Sequence, residues 1–530
     1  MTIYLDYAAS TPVDPRVAAA MAESLSDPAA QANPASATHG LGIAALERVE
    51  AARAQLAALL GAAPREIIFT SGATEANNLA LLGVARAARR AGGGGHLVSS
   101  RVEHKSVLDA LRELAREGFP VTLVDPDSSG RVQPETVRAA LRADTVLVSL
   151  MLANNEIGVT NDIAAVAALC HTRGVLVHSD GAQFVGKLPV DVVALGVDFL
   201  SLTAHKFHGP KGSGALYVRE AARARIAPIH FGGGHERGLR SGTLATHQIV
   251  GLGRAAEIAR AQGAADAAHA RNLGARLWHS LELIPGAILN GHRDERVPGL
   301  LNVSFEGVEG ESLITGLSQI AVSSGSACSS ATREPSYVLR ALGRGTELAQ
   351  SSLRLSFGRF TRVTDVDEAA SAIRSEVSRL RVLAGGMPVD GAESAAPYRS
   401  AAPPASLLER SLGPLAQGYF LARPRPPAFP PGRPPAGYRH GSAGKPAEGT
   451  AIFFELEVPG EIVKSARFTA YGCPHTLAVV AWLCEILEGR RLDAGIPETP
   501  AAWAAKFAVP DEKLGRLLIV EDALRAAYVG

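Results

Sequence analysis

The sequence predicts an α/β chain: a large domain on a mostly parallel sheet, a smaller α+β domain beside it, and a small α+β domain at the C-terminal end. Three observations carry this. From about residue 40 to 260, apolar runs of strand length alternate with Ala-rich helical stretches, the rhythm of successive βα units. From about 261 to 384 that rhythm gives way to helices framing a few strands. A break in composition then begins at Gly385-Gly386-Met387-Pro388 and includes Ala401-Ala402-Pro403-Pro404, which reads as linker rather than core.

Taken in order, strands are expected at 66–70, 96–99, 145–150, 174–178 and 197–202, each followed by polar or glycine-bearing residues. In such sheets ligands sit beyond the carboxyl ends of the strands, so those following residues are where chemistry is sought. A strand at 302–305 and a closing helix at 367–383 mark the second domain. After a Pro-rich segment at 423–435 come strands at 452–458 and 465–469 and a helix at 476–487. The expected boundaries are 1–14 with 261–384 for the small domain, 15–260 for the large one, 385–404 for the linker and 405–530 for the tail.

A chain of 530 residues is too long for one core. With 53 Lys and Arg against 52 Asp and Glu, no bulk attraction to nucleic acid or membrane is implied. Cys170, Cys328, Cys473 and Cys484 are too scattered for a disulfide framework, and no pair has zinc-site spacing. The N-terminus lacks the basic and apolar regions of a signal peptide, and apolar runs such as 476–484 are shorter than a membrane span. The expectation is a cytoplasmic protein whose thiols stay reduced.

Within the large domain, Ser201-Leu202-Thr203-Ala204-His205-Lys206 ends a strand on a lysine and enters a Gly/Pro loop. A lone lysine there is usually solvated. Here strand 174–178 also delivers Ser179-Asp180-Gly181-Ala182-Gln183. A lysine and an acid at neighbouring strand ends are what pyridoxal phosphate needs: the amine for a Schiff base, the carboxylate to keep the pyridine nitrogen protonated. Asp180 by itself would be an ordinary helix cap. Thr70-Ser71-Gly72-Ala73-Thr74-Glu75 runs from strand into helix, a geometry that aims backbone N–H groups at an anion such as the cofactor phosphate. Cys328 lies in Ser323-Ser324-Gly325-Ser326-Ala327-Cys328-Ser329-Ser330-Ala331. Its neighbours cannot build a core, so it reads as a nucleophile on a loop, whereas Cys170, in an Ala-rich helix, reads as packed.

These stretches, with Tyr4-Leu5-Asp6-Tyr7-Ala8-Ala9, Val102-Glu103-His104-Lys105, Asn154-Asn155-Glu156-Ile157-Gly158, Gly232-Gly233-Gly234-His235 and Arg240-Ser241-Gly242-Thr243, resemble the cysteine desulfurases of the NifS/IscS type over about residues 3 to 384. The resemblance implies a fold-type-I pyridoxal-phosphate transferase. It implies that Lys206 holds the cofactor and that His104 stacks on its ring and moves protons. Asn155 and Gln183 would contact the ring and its phenolic oxygen. Ala73, Thr74, Thr203 and His205 would hold the phosphate, with Thr243 reaching over from the partner subunit of a homodimer. Arg354, with Asn155, would bind the substrate L-cysteine, Arg354 taking the carboxylate. Cys328 would take its sulfur as a persulfide, leaving alanine, for delivery to an acceptor such as an iron–sulfur scaffold. The alternatives are another enzyme of the fold, a selenocysteine lyase or aminotransferase, or an idle assembly platform.

The tail resembles the IscU/NifU scaffold family, best at Ala466-Arg467-Phe468-Thr469-Ala470-Tyr471-Gly472-Cys473. That family holds a cluster with three cysteines helped by an aspartate and a histidine. Here Cys473 is kept, while Glu448, Thr450, Gly515 and Arg516 stand at the other positions. One thiolate is not a cluster site. No resident metal is expected, and the tail reads as a sulfur relay through Cys473, a docking module or a decayed partner.

Overall fold

The computed structural model describes residues 2–324, 335–386, 412–421, 425–432 and 434–529. Its centre is a seven-stranded sheet in the order Ile67–Thr70, Gly214–Val218, Phe199–Thr203, Leu176–Asp180, Thr145–Ser149, His96–Ser100, Val121–Val124. Gly214–Val218 runs antiparallel to both neighbours and the other pairings are parallel.

Side chains alternate across a strand, and each face has its own helical cover. Ile67, Val98, Val148, Val177 and Leu200 join Leu56 and Leu252, from the helices Gly40–Leu60 and Thr246–Leu281, in one core. Their neighbours Ile68, Leu97, Leu147, Leu176 and Phe199 join Leu79 and Leu111, from Ala73–Arg90 and Lys105–Arg116, in the other. Burial on both faces explains why these strands read as continuous apolar runs.

The 36-residue helix Thr246–Leu281 leaves this core at Ile249 and Leu252 and enters the next at Leu273, Leu277 and Leu281. There a four-stranded antiparallel sheet, Ser323–Ser324, Ser352–Ser356, Leu300–Phe305 and Ala287–Leu289, packs with the helix Val363–Leu383. The N-terminal strand Ile3–Tyr4 pairs with Ile320–Ala321. The chain's first residues thus belong to this sheet region before they cross to the active site.

The tail forms a three-stranded antiparallel sheet, Tyr438–Lys445, Thr450–Glu457 and Ser465–Tyr471, with helices Pro474–Leu487, Pro500–Phe507 and Leu514–Val529. Its core is continuous with that of the small domain: one apolar cluster runs from Phe305, Val377 and Leu380 to Phe454, Leu483 and Trp503. Polar contacts flank it. Ser312 Oγ donates to the Gly472 carbonyl at 2.8 Å, and Arg379 donates to the Phe420 carbonyl at 3.0 Å. Lys513 pairs with Glu311. Most of the expected linker, 387–404, lies outside the described residues.

Candidate active site

The carboxyl ends of the strands bring the sequence-selected residues to one edge of the sheet. Asp180 is the last residue of its strand and is buried. Its Oδ1 accepts from the Ala182 N–H at 2.9 Å and its Oδ2 from Asn77 Nδ2 at 2.8 Å. Asn77 also donates to Ser106 Oγ at 2.8 Å, and Ser106 Oγ lies 2.8 Å from His104 Nδ1. The backbone N–H of Ser106 donates to the same nitrogen at 3.1 Å. His104 Nδ1 is therefore an acceptor, and the neutral ring carries its proton on Nε2. Asn77 and Ser106 thus join the acid of one strand end to the histidine of another, a link that the sequence motifs do not announce.

Lys206 ends the short helical turn Ala204–Lys206 after strand Phe199–Thr203. Its Nζ donates to the carbonyls of Ala8 and of Ala9, the latter at 2.8 Å. Gln183 Nε2 also donates to the Ala8 carbonyl at 2.8 Å. The N-terminal segment is fixed in turn: Thr11 N–H donates to the His205 carbonyl at 2.9 Å, and the His208 N–H donates to Thr11 Oγ1 at 2.8 Å. A second lysine, Lys187, donates to Gln183 Oε1 at 2.7 Å. Burial and the neighbouring charges of Lys206 and Arg354 pull its pKa down to about 7. His205 falls to about 4, through burial and the positive charges of Lys206, Lys211 and Lys187, and is neutral at physiological pH.

The helix Ala73–Arg90 begins without a side-chain cap, leaving its first N–H groups for an anion. Gly214 is required here by close approach. A Cβ on Gly214 would lie 2.6 Å from the Gly72 Cα, and one on Gly72 would lie 3.6 Å from Thr203 Oγ1. The Thr203 hydroxyl thus stands beside the helix start and donates to the Ser213 carbonyl at 3.2 Å. Thr74 is exposed, as is Thr243 on the loop before Thr246–Leu281. That loop is pinned to the strand end by buried Arg53, paired with Glu236 at 2.8 Å, and Glu236 accepts from the Phe69 N–H at 2.7 Å. Arg240 pairs with Glu75 at 2.8 Å beside the helix start.

Arg354 is 2% exposed. It donates to Asp6 Oδ1 at 2.9 Å and to the Asn155 carbonyl at 3.2 Å, and its Nε has no partner among the described residues. Asn155 Oδ1 is likewise buried and without one. Such orphaned polar atoms are costly unless a ligand completes them. Cys328 lies outside the described residues, which resume at Pro335.

Pyridoxal phosphate fits this constellation: an acid at Asp180, an amine at Lys206, an uncapped helix start at Ala73 and unfilled polar atoms on Asn155 and Arg354. The family model for class-V aminotransferases matches residues 3–369. The cysteine desulfurase IscS of Aeromonas salmonicida is 55% identical over 381 residues, which are 72% of this chain and 94% of that one. The chain belongs to the cysteine desulfurase family. Its relative in Pseudomonas syringae pv. tomato, also a cysteine desulfurase IscS, is 54% identical over 383 residues, with the same coverage, 72% and 94%. A solved NifS-like protein superposes with a TM-score of 0.65 at 37% identity, covering 70% of this chain and 98% of that one. SspA in complex with cysteine gives 0.61 at 37% identity, covering 68% and 100%. Members of the family are pyridoxal-phosphate enzymes.

A model for the NifU-like N-terminal domain matches residues 433–529. The structure places Cys473 at the N-cap of Pro474–Leu487, fully buried, with Sγ 3.3 Å from Thr476 Oγ1. The Arg516 guanidinium lies beside the thiol, and its Nη1 is 3.9 Å from Glu309 of the small domain. No group of three His, Cys, Asp or Glu able to hold a metal occurs among the described residues. The donor set does not fit an iron–sulfur cluster. Cys170 and Cys484 are buried in the cores, and burial pushes the thiol of Cys170 up to about 12.

Proposed function

We propose that the protein removes sulfur from L-cysteine, releasing L-alanine and leaving the sulfur on Cys328 as a persulfide. The observation that carries this reading is the buried Arg354 whose Nε is unfilled and which donates to the carbonyl of Asn155, itself carrying an unfilled Oδ1. A planar donor of that kind suits an amino-acid carboxylate. The likeness to SspA, solved with cysteine, supports the substrate class.

Bound pyridoxal phosphate supplies an electron sink. Lys206 would hold it through Nζ, and the same amine would take the substrate's α-proton. Asp180, kept in place by Asn77 and Ala182, holds positive charge at the ring nitrogen. His104, whose Nδ1 accepts from Ser106, would have Nε2–H to offer the bound group, and Asn155 and Gln183 would contact it, Gln183 by exchanging its bonds to the Ala8 carbonyl and Lys187. The helix start at Ala73 and Thr74, with Thr203 and His205, takes the phosphate; an uncharged His205 contributes as a hydrogen-bond donor. The Cys328 thiolate attacks the substrate sulfur. The S–S bond forms as the Cβ–S bond breaks, the bonding pair stays with Cβ, Cβ takes a proton, and the proton held by Lys206 returns to Cα to give alanine. No outside oxidant is needed.

The working form is a homodimer in which Thr243, exposed in the single chain, completes the phosphate site of a second copy. The protein acts in the cytoplasm, where Cys328 stays reduced, and passes its sulfur to an acceptor such as an iron–sulfur scaffold. The tail is a docked, noncatalytic module. A relay through Cys473 would require the face closed by Arg516 and Glu309 to open.

The test is alanine formation from L-cysteine by the pyridoxal-phosphate-loaded protein with a thiol reductant. Wild type is expected to release alanine and sulfide in equal amounts, and Cys328→Ala to release neither above about one part in a hundred of that rate, the scale of a lost nucleophile or acid–base group. Wild-type rates in Cys328→Ala would refute the assignment of Cys328.

A further inference from the structure

The loop that leads from His230 to the helix Thr246–Leu281 and carries Thr243 takes a strained course. Glu236 and Arg237 both adopt left-handed backbone, with φ of 48° and 58°, a conformation that residues with a Cβ avoid. The Glu236 side chain is 2% exposed, and its carboxylate is gripped by Arg53, itself 3% exposed, on the helix Gly40–Leu60. Arg53 Nη1 donates to Oε2 and Nη2 to Oε1, each at 2.8 Å. Oε2 also accepts from the Phe69 N–H at 2.7 Å. Arg53 completes its own bonds on the Ile67 carbonyl at 2.9 Å and on Glu50 at 3.0 Å. Three residues past Glu236, Leu239 is buried in the same core as Ile68 and Leu216. Beyond these anchors the loop closes on itself. Ser241 Oγ donates to the Gly232 carbonyl at 2.5 Å, and the Gly242 N–H donates to His235 Nδ1 at 3.2 Å. Thr243 follows at once and is exposed.

A buried ion pair adds little stability over apolar side chains of the same size, and strained backbone persists where its surroundings over-determine it, most often at functional sites. We infer that Arg53 and Glu236 are positioning residues that set the Thr243 hydroxyl for the phosphate site of a second copy of this chain. The inference rests on the homodimer reading given above, in which Thr243 completes that site. Gly232-Gly233-Gly234 places few limits on the loop, and the two-pronged grip on Glu236 supplies the missing ones. A hydroxyl already in place binds an anion without first losing conformational freedom. Because Glu236 also holds the Phe69 N–H, on the strand that leads into its own chain's Ser71–Ala73 turn, the pair has a rival role: bracing the phosphate site of its own copy. The two roles differ in which copy suffers when the pair is broken.

The test therefore mixes chains. Full-length apoprotein dimers, isolated with two different affinity tags, are titrated with pyridoxal phosphate; the bond to Lys206 is fixed with borohydride and occupancy is read by peptide mass. Lys206→Ala removes the readout from one chain of each dimer. When a wild-type chain is paired with one carrying Lys206→Ala and Glu236→Gln, the site that is read takes Thr243 from the altered loop. Its dissociation constant is expected to rise about tenfold or more, the scale of a lost hydrogen bond to a charged group. When a Glu236→Gln chain is paired with a Lys206→Ala chain, the site that is read takes Thr243 from an intact loop and is expected to keep wild-type affinity. Arg53→Lys keeps the charge but loses the two-pronged grip; it should give the same pattern and decides the matter if Glu236→Gln does not assemble. A loss that follows the altered chain's own site, that is equal in both mixtures, or that is absent from both overturns the inference. A wild type that sediments as a monomer, or a Thr243→Ala protein that binds the cofactor as wild type does, would instead overturn the reading on which it rests.

Discussion

Lys206→Ala is expected to lower alanine formation from L-cysteine by about a thousandfold or more, the scale of a lost, well-placed acid–base group. It should also abolish the yellow colour that pyridoxal phosphate shows when joined to a lysine. Among the described residues the nearest rival amine to Lys206 is already engaged. Lys187 is buried in the same pocket and has its pKa drawn down to about 7, but its Nζ is committed to Gln183 Oε1 at 2.7 Å. The carbonyls of Ala8 and Ala9, which receive the Lys206 amine, would be left facing the void. Absorbance spectra and alanine analysis on the same preparation give both readouts. Retention of the colour with loss of turnover would move the attachment point to another amine.

Ending the chain after Gly386 is expected to lower the thermal midpoint by about 5 °C or more, at about 1 °C per kcal/mol for the length of chain that remains. The small domain and the tail share one apolar cluster, in which the helix Val363–Leu383 packs on the strand Ser465–Tyr471. Each large side chain stripped of that cover forfeits about 1.5–3 kcal/mol, so two or three such residues suffice for the shift. The charged rim adds to the cost, because Glu309 and Glu311 lose Arg516 and Lys513. Differential scanning calorimetry of the full and shortened chains decides the matter. An unchanged midpoint would mean that the two halves are energetically independent.

The strands and their order of appearance were legible because a sheet buried on both faces is written in runs such as Val146-Leu147-Val148 and Phe199-Leu200. The reversal of Gly214–Val218 was legible in principle: so few residues follow Thr203 that no crossover helix fits, and a parallel neighbour needs one. Lys206, Asp180 and the Gly72 turn stood out because each ends a strand on a residue that a strand end does not need. Asn77 and Ser106 did not, because they are polar residues near the starts of two helices and meet only across the tertiary fold. Asp6 sat inside a quoted motif, yet nothing local shows that it pairs with Arg354. The docking of the tail was hidden for a similar reason, since Glu309, Glu311, Lys513 and Arg516 are ordinary members of a balanced set of charges until the fold pairs them.

The most direct test is a single turnover. The cofactor-loaded protein is mixed with one equivalent of L-cysteine labelled with heavy sulfur, without reductant, and its peptides are weighed. The account expects one labelled sulfur atom on the peptide that contains Cys328 and one alanine released, with neither product from Lys206→Ala. Labelled sulfur on Cys473 with none passing through Cys328, or alanine release with no sulfur held by the protein, would contradict it.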